Sequence, residues 1–165
     1  MSMFIPTYVF DTISTKVILN LTNTIRSIYD LILSINNESK QIEQLIIKSD
    51  IKVIIETLEL YINEIDTDLL HTSKTLTFSL KNLHDIIDTI KTELERIHYK
   101  IQYNKNVYLL YSIRAYGFNS SFERMENYMK TLEIRKNLLF DVIKGITSID
   151  TFDHPKPTST LKNTC

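Results

Sequence analysis

Two pairs at helical spacing, Asp68-x-x-His71 and Glu95-x-x-His98, come nearest in this chain to metal chemistry. A carboxylate and a histidine three residues apart share one face of a helix. Di-iron bundles use two such pairs together with two further inward glutamates. The apolar phase opposes that reading here. Glu95 and His98 flank the apolar positions Leu94 and Ile97 on the outward side, and the second set of inward glutamates is missing from the pattern. A solvated helix face is expected, with no metal and no other cofactor. His84 and Asp88, one turn apart, read as an exposed i,i+4 pair. A catalytic histidine needs a nucleophile and a shaped pocket. The one cysteine is Cys165, the last residue, and serines and threonines are too evenly spread to single one out. The expectation is a protein that is not an enzyme.

The stretch Arg96, His98, Tyr99, Lys100, Tyr103, Lys105, Tyr108 mixes basic and aromatic side chains, as binders of single-stranded nucleic acid do. The charge balance argues otherwise. The net charge is −1, so the concentrated basic face that nucleic acid requires is not expected. The tyrosines Tyr99, Tyr103, Tyr108, Tyr111 and Tyr116 are instead the candidate partner-binding residues, since tyrosine joins a large apolar body to a polar tip and is favoured at interface hot spots.

Helices must position these groups. From Leu76 to Ile101 the apolar residues fall at Leu76, Leu80, Leu83, Ile87, Ile90, Leu94, Ile97 and Ile101, alternating four and three. That is the seam of an amphipathic helix packed along others. A first helix is expected to begin near Asp11 or Thr12, with Ile18, Leu21, Ile25, Ile28, Ile32 and Ile35 on its buried side and a break at Asn36-Asn37. Ile42, Leu45 and Ile46 open a second region. Asp50 can recap it, and Ile51, Ile54, Leu58, Tyr61 and Ile65 continue it. Residues 66–75 are polar and suit a turn. One row of apolar residues nevertheless runs through at sevenfold spacing from Ile55 to Ile97, so a single long rod competes with the turn. Matched segments 11–36, 39–65 and 67–101 favour the turn. Gly117 suits a helix stop, and Ser120 with Glu123 reads as a capping box that starts the last helix. Phe122, Met125, Met129, Leu132, Leu139, Ile143 and Ile146 line that helix, interrupted by Lys136.

Composition narrows the classes further. Two Gly and three Pro are few for tight-turned β folds or glycine-rich phosphate loops. One cysteine supports no disulfide framework and fits a reducing, cytoplasmic setting, with the membrane periphery as the alternative. The first six residues lack the pattern of a signal peptide, and no 18-residue run is apolar enough to span a bilayer. Ile occurs 25 times and Ala once, a bias expected of AT-rich coding DNA such as that of many large DNA viruses, protists and some bacteria.

With the helices placed, the chain resembles the four-helix domains at the N-termini of cell-death proteins: the fungal HeLo domain, the four-helix domain of the mixed-lineage-kinase-like pseudokinase, and the related plant resistance-protein bundle. The resemblance rests on Ser79-Leu80-x-x-Leu83-x-x-Ile86-Ile87, on Lys105-x-x-Tyr108, and on Met125, Met129, Leu132 and Leu139 of the last helix. It implies a four-helix fold that oligomerises or meets membranes when activated, here through the charge-poor first helix. The strongly basic membrane-facing surface of some members has no counterpart in this chain. The resulting expectation is an all-α, up-and-down bundle of four or five helices over residues 1–149, with a flexible C-terminal tail at 150–165. Its expected role is interaction or scaffolding, through a protein partner or through self-association as a homo-oligomer.

Overall fold

The computed structural model describes residues 7–36, 38, 40–65, 70, 73–106 and 118–150, with 7–14, 106, 149 and 150 described by backbone alone. Five helices hold most of them: α1 (Thr7–Ile35), α2 (Lys40–Ser49), α3 (Ile51–Asn63), α4 (Lys74–Asn106) and α5 (Asn119–Asp150). The fold is an all-α bundle, as the apolar spacing predicts. Tyr108, Tyr111, Tyr116, Gly117, the Asp68/His71 pair and residues 151–165 of the expected 150–165 tail lie outside the described residues, while Asp150 is the last residue of α5.

Side-chain pairs fix the direction of each leg. Thr24 and Ser34 of α1 lie beside His84 and His98 of α4, so these two helices run the same way. Tyr29 and Arg26 of α1 meet Glu56 and Glu59 of α3, so α3 runs the opposite way. Arg124 of α5 reaches Glu93 of α4 and Arg135 reaches the Asn82 carbonyl, so α5 also runs down. The topology is therefore up, down, up, down, with α2 and α3 together forming the second leg. The chain turns back between Asn63 and Lys74, and the long rod does not form.

The core follows the seam. Leu80, Leu83, Ile87, Ile90, Leu94 and Ile97 of α4 are buried against Leu21, Ile25, Ile28 and Ile32 of α1 and against Met125, Leu132 and Leu139 of α5. α4 packs along both α1 and α5, which makes it the central element. Its start is fixed locally. The Ser73 hydroxyl accepts a hydrogen bond from the Leu76 amide at 3.2 Å, and the Ser73 carbonyl accepts one from the Thr77 amide. Ser73→Ala is expected to cost about 1 kcal/mol of unfolding free energy in urea melts, the usual worth of such a cap.

Four boundaries differ from the sequence expectation. α4 runs Lys74–Asn106 rather than over 67–101. α1 starts at Thr7, earlier than the expected Asp11 or Thr12. The Ser120–Glu123 box lies inside α5, which starts one residue earlier at Asn119. The buried Phe118 precedes it, stacked on Phe122 with ring centroids 6.0 Å apart. Asp50 stands at the start of α3 as expected, but its side chain makes no cap hydrogen bond. Its backbone is left-handed, at φ 49° and ψ 24°. Here Asp50 acts as the corner between α2 and α3 rather than as a capping acceptor.

Candidate functional site

The second leg does not close on α5 along its whole length. α2 and α5 leave between them a groove of about 510 Å³. Leu45 of α2, Ile54 of α3, and Phe122 and Met129 of α5 line its apolar part. Lys48 on one bank and Glu126, Lys130 and Glu133 on the other give it charges of both signs. Local structure explains the opening. α2 has only ten residues, and just Ile42 and Ile46 are buried, so only a short stretch of it is anchored. Farther down, the second leg meets α5 directly: Tyr61 packs on Phe140 with ring centroids 4.2 Å apart. Burial against its neighbours, helped by the nearby Glu64 carboxylate, raises the Tyr61 hydroxyl pKa above the ordinary tyrosine value.

A second feature holds the same end of α5 in place. Glu93 of α4 is 2% exposed, the one buried carboxylate among the described residues. The Arg124 guanidinium donates to both of its oxygens, at 2.9 and 3.0 Å, and Arg96 donates at 2.6 Å. Ser121, fully buried, accepts a further bond from Arg124. Burial alone pushes the Glu93 carboxyl upward. The hydrogen bonds from Arg124 and Ser121, with the charges of Arg124 and Arg96, outweigh burial and hold it below the usual carboxylate range. The first turns of α5 thus carry Ser121 and Arg124 toward α4 and Phe122 and Met129 toward the groove.

The residues singled out for chemistry are not brought together. Glu95 is exposed and pairs with Lys91 on its own helix at 3.5 Å. His98 meets Ser34 across the α1–α4 seam at 3.2 Å. The His84 ring lies by Asp85 at 3.9 Å and within 3.5 Å of the Thr24 hydroxyl, so its neighbours are Asp85 and α1 rather than Asp88. Among the described residues no group of three or more His, Cys, Asp or Glu converges on a point. Tyr99 and Tyr103 are exposed and stacked, with centroids 6.5 Å apart, on the outer face of α4. They form a surface apart from the groove, none of whose lining residues is a tyrosine. No helix among the described residues is long and apolar enough to cross a membrane.

Sequence reasoning missed both features. Leu45, Ile54, Phe122 and Met129 read there simply as core positions. Their place at the edge of each stripe was the available signal. Glu93 was passed over although it lies seven residues from Ile86 and fourteen from Ser79, both buried. That second row marks the α4 face turned toward α5. No family model, curated protein or solved structure matches this chain.

Proposed function

We propose that this protein is a non-enzymatic interaction module whose α2–α5 groove takes an amphipathic helix of a partner protein. The groove carries the reading. Its α5 bank runs from Phe122 to Glu133, about 16 Å at 1.5 Å per residue, which matches three turns of a docked helix. Apolar side chains between banks of mixed charge suit a helix with anchors at i, i+3, i+4 and i+7 and charged flanks. The exposed Tyr99–Tyr103 pair supplies a second surface at which the same partner can be held.

A fluorescein-labelled, three-turn amphipathic peptide with leucines at that spacing and flanking Lys and Glu is the probe. Amide shift changes on titration are expected to concentrate in residues 41–54 and 122–133. Leu45→Glu places a charge on the half-buried groove wall and is expected to weaken the peptide at least tenfold by fluorescence anisotropy, with helicity unchanged. Shift changes scattered over the bundle, or equal affinity of Leu45→Glu, would overturn the reading. Light scattering across a concentration series separates partner binding from self-association. A dimer that forms through the same residues would make a second copy the occupant.

A further inference from the structure

Asp50 is the one described non-glycine residue with positive φ. An L side chain in that conformation crowds the following carbonyl, and here no side-chain cap bond compensates. The apolar pattern on either side shows what the corner achieves. Ile42 and Ile46 of α2 and Ile51, Ile55, Leu58 and Ile62 of α3 are all buried in the same core. Continue α3 backward as a straight helix at about 100° per residue, and Ile42 and Ile46 fall roughly 150–170° from that core direction. They then share a face with Val53 and Leu60, which are 51% and 67% exposed. Ile47, 69% exposed as folded, would come round to the core side. The second leg therefore carries two apolar stripes on opposite faces, and the left-handed residue re-phases α2 so that Ile42 and Ile46 turn inward.

We infer that the α2–α3 leg is a two-state element: a bent form cornered at Asp50, and a straight helix over residues 40–63 with Asp50 in right-handed conformation. Each form has its own advantage. The bent form buries Ile42 and Ile46. The straight form relieves the Asp50 backbone and lines up Ile42, Ile46, Val53 and Leu60 on one outer seam, at helical spacing. What opposes the exchange is chiefly the burial of Ile42 and Ile46, since α2 is short and otherwise touches α3 and α5 lightly. The paired Lys105 and Glu38, 2.6 Å apart, tie the linker before α2 to the end of α4 in the bent form. Straightening removes Gln41, Gln44 and Leu45 from the bank of the groove, so the corner regulates the proposed binding site. That consequence rests on the groove reading. The two-state leg itself does not.

The test is a distance measured without any ligand. Spin labels are placed at Gln41→Cys and Asn63→Cys in the full chain, with Cys165→Ser as background. A straight leg separates the two positions by about 33 Å, and the bent leg by less. The native residue at 50 is expected to give mostly the short distance. Asp50→Gly, which is at ease in left-handed backbone, should give the short distance alone. Asp50→Ala, which is not, should enlarge the long-distance population about tenfold. Ile46→Ala reaches the same end by a second route, because it removes burial in the bent form only. One unchanged distribution across native, Asp50→Gly, Asp50→Ala and Ile46→Ala would overturn the inference. With the amphipathic peptide added, Asp50→Gly should bind more tightly than Asp50→Ala. If distances shift and no peptide binds, the groove reading fails and the two-state leg stands.

Discussion

Glu93→Ala is expected to lower the unfolding free energy by about 3 kcal/mol, measured by urea denaturation near neutral pH. The carboxylate is 2% exposed and holds Arg124 and Arg96 at one point between α4 and α5. Its removal deletes charge-assisted hydrogen bonds and leaves a small void, while both guanidiniums keep a route to water. Arg124→Ala is the harsher change, because it strands the buried carboxylate with one remaining arginine. Glu93→Leu should be milder than either, since it fills the space with apolar volume and leaves no buried charge. The order Arg124→Ala, Glu93→Ala, Glu93→Leu is the diagnostic. Equal melts for all three would mean that the cluster is solvated and worth little.

The same carboxylate makes stability depend on pH, and its sign follows from the lowered pKa. A group held below its unfolded value contributes fully above that value, here about 4.3, and its contribution is lost as pH falls through the depressed folded value. The native chain should therefore lose stability from about pH 4.5 downward, and Glu93→Leu should lose less over that window. Parallel acid titrations of the two would contradict the assignment.

Ile90→Ala is the second large effect, at about 3–4 kcal/mol in the same assay. Ile90 is fully buried on the central helix, where the seam meets α1 and α5, so a lost side chain there leaves a cavity walled by well-anchored neighbours. Phe78 on the same helix is 63% exposed, and Phe78→Ala should change stability by less than about 0.5 kcal/mol. A larger loss for Phe78→Ala than for Ile90→Ala would show that α4 is covered on its other side by something beyond this chain.

The contrast between these two positions was legible beforehand. Ile90 belongs to the four-three row from Leu76 to Ile101, and every member of that row is buried. Phe78 lies off it. The rows on α1 and α5 were readable for the same reason: hydrophobic periodicity is a local property, set by which residues must leave water together. The class of fold follows from those rows, while the number of legs does not, because the row that crosses residues 66–75 allows a rod as well as a turn. The structure adds that α3 and α4 run in opposite directions, which the sevenfold row from Ile55 to Ile97 had left open.

The sequence by itself thus determined a helical bundle and its core seam, because helical phase is written along the chain in residues three and four apart. It did not determine the groove, the Glu93–Arg124 pairing or the Asp50 corner. Whether Leu45 and Phe122 meet or stand apart depends on how far α2 is held from α5. Glu93 becomes a buried anion only because Arg124, 31 positions away, comes to lie beside it. Asp50 reads as a cap in the sequence. Only the packing of Ile42 and Ile46 into the core, together with the α3 row, forces its backbone left-handed. Each of these depends on elements distant in the chain being placed side by side, and tertiary structure alone settles that.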